Sequence, residues 1–299
     1  MKSVYTLEDL ESRERLDAGA DKPARLAVLG HPVAHSASPR MHQPALDDAG
    51  IDARYIRLDL EPGQVAEAFV RMRALDFFGC NVTVPHKLEA MAACCEVHPD
   101  ARVLGAVNTV RFAEDLTRGF NTDGPGFARA IEDDFGVAFA SLRVAIIGAG
   151  GGAGGAIATQ GALSGVRELV LVNRTLEKLG PLAAKLEEIS PDSEIAMLSF
   201  ENPALVERCL GCDLIVNTSS VGLKSGDRSI LPVACLREGH LVYDTIYQPA
   251  VTPLLTLAQG LGCRTANGLS MLIQQGALAF QHWFPRTEPL AVMKQALRE

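Results

Sequence analysis

The sequence predicts an α/β protein of two domains, a mixed or parallel sheet domain followed by a doubly wound Rossmann-type domain. Three observations carry this. Short apolar runs, "RLAVLG", "ARYIRLDL", "GCNVTVP", "RVAIIG", "ELVLVN", "DLIVN" and "HLVYDT", have the length and composition of buried strands. Helix-like patterns separate them, the rhythm of helices laid over a parallel sheet. At 299 residues the chain is long for one core and suits two.

Residues 1–24 form a charged extension, expected as a frayed helix ahead of the first domain. It holds no apolar core of signal-peptide length, and no later run approaches ~18 apolar residues, so a cytoplasmic protein with no membrane partner is expected. The composition, 47% apolar and 21% charged, is that of a globular protein, and the net charge of −8 argues against a nucleic-acid partner. Seven cysteines, an odd number, fit reduced thiols. Cys209 and Cys212 form one C-x-x-C that runs into the strand "DLIVN" without a second pair, which leaves a zinc site short of ligands.

The first domain is expected over 25–125. Val65, Phe69 and Met72 recur at helical spacing beside Glu67, Arg71 and Arg73, an amphipathic helix with its apolar stripe turned to the core. In "GCNVTVPHK" alternation puts Asn81 and Thr83 on one face and Cys80, Val82 and Val84 on the core face. Pro85 ends the ladder and leaves Lys87 just past the carboxyl end of the strand, where ligands collect in open α/β sheets. "GAVNTVRFAEDLTRGFNTDG" reads as a hairpin turning around Glu114 and Asp115. The turn residues of "NTDGPG" mark the boundary, and "ARAIEDDF" is a helix leading into a second domain over 126–267.

"RVAIIGAGGGAGGAIATQGAL" sets glycines between an apolar strand and a small-residue helix, the context of a dinucleotide fingerprint. Gly148, Ala149, Gly150, Gly151, Gly152 and Ala153 are the candidate pyrophosphate contacts, through backbone N–H groups at a helix start. Two registers compete, Gly148-Gly150-Ala153 and Gly150-Gly152-Gly155; the first is favoured because Gly148 directly follows the strand residue Ile147. The next strand ends in Asn173 and Arg174 where an NAD site carries an acid. A guanidinium there, with Lys178 one turn on, suits a 2′-phosphate, so NADP is the expected cofactor. In "NTSSVG", Asn217 is the expected contact, and Ser219 and Ser220 cap or line the crevice. His31, His35, His42 and His86 match no metal-ligand spacing, and no metal is expected.

Taken in order, "GHPVAHSASPRMH", "NVTVPHK", "GAVNT", "NTDG", "NRT", "YDTIYQPAVTPLL" and "NGLSMLIQQGALAF" resemble the motifs of the shikimate dehydrogenases over roughly Leu26 to Phe284. The resemblance implies NADP-linked, reversible reduction of 3-dehydroshikimate to shikimate on the route to chorismate, with a quinate or aminoshikimate dehydrogenase on the same scaffold and a catalytically idle NADP-binding sensor as the alternatives; a monomer or homodimer with no partner beyond this small substrate is expected. It implies that Ser36 and Ser38 bind the carboxylate, and that Asn81, Thr83, Asn108 and Asp123 bond the ring hydroxyls. Lys87 and Asp123 form the catalytic pair, and Tyr247 and Gln275 complete the pocket. Gly268 lies near the nicotinamide, and Asn173, Arg174 and Thr175 surround the adenosine phosphate. It further implies that the C-terminal helices, 268–299, complete the substrate domain. The glycine loop is one residue longer than the family pattern, with Gly154 and Gly155 where a basic residue is usual.

Overall fold

A computed structural model of the chain describes residues 2–113 and 116–298; the expected hairpin turn at Glu114 and Asp115 lies outside the described residues. The chain divides into two compact units, Met1–Thr122 with Ile273–Glu299, and Asp123–Leu272.

The first unit opens with a 3₁₀ turn, Leu7–Glu11, and a short helix α1, Arg13–Leu16, before β1, Ala24–Gly30. Then follow α2 (Ser38–Asp48), β2 (Arg54–Asp59), α3 (Val65–Ala74), β3 (Gly79–Val82), α4 (Lys87–Ala93), β4 (Glu96–Val97), α5 (Pro99–Leu104), β5 (Thr109–Ala113) and β6 (Leu116–Phe120). The strands form one sheet, β2-β1-β3-β5-β6-β4. Around β1 the pairing is parallel, and β5 runs antiparallel to both β3 and β6, which gives the expected hairpin and makes the sheet mixed. Helix α3 buries Val65, Ala68, Phe69 and Met72, the stripe read from the sequence.

Two expectations for this unit change. The extension is docked: the Tyr5 N–H donates to the Arg57 carbonyl at 2.9 Å, and the Asp59 N–H donates to the Tyr5 carbonyl at 2.8 Å. Its apolar residues Tyr5, Leu7, Leu10 and Leu16 are buried, each worth roughly 1.5–3 kcal/mol, which offsets the charges between them. Val84 is the second change. Strand β3 ends at Val82, so Val84 leaves the alternation and stands 69% exposed.

In the second unit α6, Asp123–Phe135, leads to β7 (Arg143–Ile147), α7 (Gly152–Ser164), β8 (Glu168–Val172), α8 (Gly180–Ile189), β9 (Glu194–Leu198), α9 (Leu205–Gly211), β10 (Leu214–Asn217), β11 (Leu241–Asp244), α10 (Pro253–Gly260) and β12 (Arg264–Asn267). All pairings are parallel in the order β12-β11-β10-β7-β8-β9, the 3-2-1-4-5-6 order of a doubly wound dinucleotide-binding sheet read from the other edge. Separate apolar clusters cover its two faces, one with Ile146, Leu171 and Tyr243, the other with Ile147, Val172 and Val242. That two-sided burial is why these strands read as unbroken apolar runs. The order reverses between β7 and β10, the crevice where such sheets bind ligands.

Helix α11, Leu269–Trp283, starts in the second unit and ends in the first, and α12, Leu290–Arg298, packs against α2. Trp283 Nε1 donates to the Val110 carbonyl at 2.8 Å, passing over Gly79, where any side chain would strike the indole. Phe280 and Trp283 enclose His42, whose ring stacks on Tyr55 at 4.5 Å between centroids. Among the described residues neither His42 ring nitrogen has a hydrogen-bond partner, and burial pushes its pKa down to about 3.

This burial sets the acid response of the fold. In the unfolded chain His42 titrates near 6.5, whereas the native imidazole stays neutral down to about 3. Below pH 6.5 the unfolded state takes up a proton that the native state refuses, so stability is full above that pH. It falls by up to ~1.4 kcal/mol per pH unit as pH drops toward 3. Burial depresses His282 similarly, to about 4. Urea midpoints measured from pH 7 to 4 should fall in the wild type and fall less steeply in His42→Phe; equal slopes would show that His42 does not contribute.

Candidate functional site

The first unit gathers one connected row of polar side chains around the carboxyl end of β3. Tyr55 Oη donates to Asn81 Oδ1 at 2.6 Å, and Asn81 Nδ2 donates to Thr109 Oγ1 at 3.2 Å. Thr109 Oγ1 donates to Asn108 Oδ1 at 3.0 Å, and Asn108 Nδ2 reaches Thr122 Oγ1 at 3.0 Å. Asn108 Oδ1 also accepts the Thr122 N–H at 2.8 Å. All five are buried. Burial raises the Tyr55 pKa well above its usual value, so the phenol remains a donor, and a hydrogen bond with Ser38 ties it to the other end of the row.

Ser36 Oγ donates to Ser38 Oγ at 3.2 Å, and the Ser38 N–H donates to Ser36 Oγ at 3.3 Å. The two hydroxyls sit together because the Ser36 N–H turns back to the Val33 carbonyl and Ser38 opens α2, which makes a tight turn. Thr83 lies half-buried just beyond β3, its N–H donating to the Leu29 carbonyl, and Lys87 is the half-buried first residue of α4. Gln275 projects half-buried from α11. The histidines go separate ways: His31 bonds Asp59 at 2.6 Å, His86 Nε2 donates to the Leu60 carbonyl, His42 lies in its aromatic stack, and His35 is exposed. Among the described residues no group of three or more His, Cys, Asp or Glu is placed to hold a metal.

In the second unit a cavity of about 610 Å³ opens at the β7/β10 reversal. Gly148, Gly150 and Gly151 line it, with Asn173, Arg174, Thr175 and Lys178 beyond the end of β8. Gly148 has φ +89°, and a Cβ on Gly150 would come within 2.8 Å of Asn173 Nδ2, so this turn requires glycine. The close-packing position of the fingerprint falls on buried Gly154. Its Cβ would meet Ala149 Cα, the Gly148 carbonyl oxygen and Thr218 Oγ1, each at 2.7 Å. Ala153, expected there, is exposed in the first turn of α7, as is Gly152, because the loop is one residue longer than the fingerprint spacing. Ala149 is fully buried under the turn.

Asn217 does not line this cavity. It is fully buried and spent on structure: Nδ2 donates to both oxygens of Asp244 at 3.1 Å, and Oδ1 accepts from the Ser219 N–H and hydroxyl. Burial raises the Asp244 pKa, against hydrogen bonds from Thr252, Asn217 and the Ile246 N–H. This lock fixes the next residues, and Thr218, Ser219 and Ser220 form the cavity wall. Asp123, half-buried, starts α6; Tyr247, half-buried, follows β11. At Gly268 the N–H donates to the Ile246 carbonyl, and a side chain would strike the Thr245 carbonyl.

Sequence reasoning missed Tyr55, Thr109 and Thr122, whose role arises only when β2, β1, β3 and β5 assemble side by side in one sheet. It also missed Phe200, Glu201 and Ile230 in the cavity wall. The first two follow β9, a partly exposed edge strand with no continuous apolar run to announce it.

The cavity fits a phosphorylated dinucleotide. Glycine N–H groups at a helix start and the cations of Arg174 and Lys178 outweigh the carboxylate of Glu201.

Residues 28–110 match the family model of the shikimate dehydrogenase substrate binding domain, and 268–298 that of the shikimate 5′-dehydrogenase C-terminal domain. The chain is 40% identical to shikimate dehydrogenase (NADP⁺) of Symbiobacterium thermophilum over 91% of this chain and 92% of that protein. It is similar to the crystal structure of shikimate 5-dehydrogenase from Thermus thermophilus in complex with NADP(H) and shikimate. There the TM-score is 0.81 at 35% identity, covering 92% of this chain and 98% of that one. The ligand-free 5-ketofructose reductase of a Gluconobacter strain is similar at a TM-score of 0.83 and 32% identity, over 93% and 99% of the two chains.

The loop register makes a sharp test. Gly154→Ala should weaken NADP binding at least about tenfold, because the turn must shift to admit a methyl group. Gly155→Ala meets only ordinary contact, with the Ala149 carbonyl oxygen at 3.9 Å, and should bind within a few-fold of wild type. Fluorescence titration of NADPH decides it; equal affinities would place the close approach elsewhere.

Proposed function

Since the chain belongs to the shikimate dehydrogenase family, we propose that it catalyses the reversible NADP-dependent reduction of 3-dehydroshikimate to shikimate with Lys87 and Asp123 as its acid–base pair. The observation that carries the residue assignment is the buried row from Ser38 through Tyr55 and Asn81 to Asn108, with Lys87 one turn past β3. A polyhydroxylated acid needs two kinds of recognition, donors for a carboxylate and fixed donor–acceptor groups for ring hydroxyls. Ser36 and Ser38 supply the first; Asn81, Thr83 and Asn108 supply the second, with Tyr247 and Gln275 closing the set. The 28–110 segment is the substrate-binding part, and the glycine-turn unit holds the cofactor.

The fixed amides bind and orient the ring, and because their partners are already set they need little reorganisation as charge develops. Reduced nicotinamide, when bound, supplies the hydride. As the carbonyl carbon accepts it, the C=O π electrons move to oxygen, and the Lys87 ammonium donates a proton from Nζ to that oxygen, giving the alcohol. Asp123 is the carboxylate member of the proposed pair. In the oxidative direction the neutral Lys87 amine takes the same proton back. The glycine N–H groups, Asn173, Arg174, Thr175 and Lys178 hold the adenosine end.

Absorbance at the NADPH band, with shikimate and quinate compared side by side, tests the substrate. Shikimate should have the higher kcat/KM, since both serines of "HSASP" are kept; a quinate value equal or greater would sink the assignment. For the chemistry, Lys87→Ala should lower kcat by roughly 10²–10⁴ while the shikimate Kd stays within a few-fold. Turnover close to wild type would remove Lys87 from the proton-transfer role.

A further inference from the structure

We propose that Arg57 and Asp59, held in place by the N-terminal segment, are positioning residues that set the carboxylate-binding turn. The proposal rests on the assignment of Ser36 and Ser38 as the carboxylate site. Arg57 and Asp59 are two apart on β2, so their side chains leave the same face of the strand. Arg57 directs both Nε and Nη2 to one acceptor, the Ser36 carbonyl, at 3.0 and 2.7 Å. Asp59 takes the start of the same turn: Oδ1 lies 2.6 Å from His31 Nδ1, and Oδ2 accepts the Val33 N–H at 3.2 Å. The turn is thus gripped at both ends from a single strand.

The grip falls on the functional atoms. Ser36 Oγ donates to Ser38 Oγ and accepts the Ser38 N–H, so the plane of the Ser36 peptide sets where both hydroxyls point. A half-buried arginine can extend its head into water; here two donors converge on one backbone oxygen instead. A lysine could offer that oxygen one ammonium but not the planar pair.

Strand β2 lies at the end of the sheet order, where a strand has an open row of backbone groups. Tyr5 pairs with it opposite Leu58, taking the Arg57 carbonyl and the Asp59 N–H, the backbone groups of the two gripping residues. Farther along, Asp17 Oδ1 accepts from Arg54 Nη2 at 2.9 Å, and the Tyr5 hydroxyl accepts from Arg54 Nη1 at 3.1 Å. The extension therefore fixes the strand from which the turn is held, and its effect on catalysis should appear in substrate affinity.

Steady-state kinetics on the full-length enzyme decide this. Arg57→Ala should raise the shikimate KM roughly tenfold, as expected for a misplaced contact group, with kcat and the NADP KM within about twofold, because a remote carboxylate is held alike in ground and transition states. Arg57→Lys should recover part of the loss, and a chain lacking residues 2–5 should show a smaller KM rise in the same direction. A purely structural role would lower the active fraction and melting temperature with the shikimate KM unmoved, and that result overturns the proposal. If Arg57→Ala does not fold, Arg57→Lys and Asp59→Asn carry the test: a raised shikimate KM supports it and an unchanged one refutes it. Wild-type turnover of shikimate is measured first. Its absence sinks the functional assignment and this proposal with it, whereas wild-type turnover with an unchanged KM in the variants sinks this proposal alone.

Discussion

A polar side chain buried at the end of a β-strand must find its hydrogen bonds inside the protein, and both sheets of this chain are organised by that requirement. In one, Asn81 is satisfied by Tyr55 and Thr109, and Asn108 by Thr109 and Thr122. In the other, Asn217 and Asp244 satisfy each other across adjacent strands, with Thr252 and the Ser219 hydroxyl and N–H taking the remaining positions. An unpaired member would lose roughly 1–3 kcal/mol, so each network has essentially one arrangement. The rigidity that results is what a binding surface needs, since groups already held by partners do not reorganise when a ligand arrives.

The second constraint is steric. At the β7/β10 reversal the backbone itself is the ligand-facing surface: Gly148 adopts φ +89°, and Gly150 and Gly154 stand where a methyl group would collide with Asn173 or the turn's own backbone. The extra residue in the loop moves the close approach to Gly154 without changing the strand–turn–helix context. The lock of Asn217 on Asp244 holds the opposite wall, so a residue that touches no part of the cavity controls the position of Thr218 and Ser219, which do.

Edges and faces complete the first sheet. The extension covers the edge of β2 with Tyr5 and buries Leu7, Leu10 and Leu16 in the same core as the α3 stripe. Phe280 and Trp283 of α11 close over His42 and Tyr55. Tyr55 thereby joins the aromatic packing to the polar row: its ring stacks on His42, and its hydroxyl bonds Asn81.

Much of this was legible in the sequence because it depends on local pattern. Short apolar or alternating runs gave seven strands, helical spacing gave the stripe of α3, and the glycine turn after Ile147 announced a phosphate-binding loop, since backbone conformation and periodicity are properties of neighbouring residues. What depends on strand pairing was not legible. Nothing near Tyr55 in the chain says that its hydroxyl will reach Asn81, 26 residues on. Asn217 had the residue type of a ligand contact but was consumed by Asp244, a partner 27 residues away. The extension read as frayed because its charges hide four apolar residues that matter only once an open strand edge lies beside them. The edge strands β4, β9 and β12 escaped notice for the related reason that half-exposed strands carry little apolar signal. Sequence thus determined the fold class and the residue types of the site; tertiary pairing decided which polar groups remain available and which are used up holding the others still.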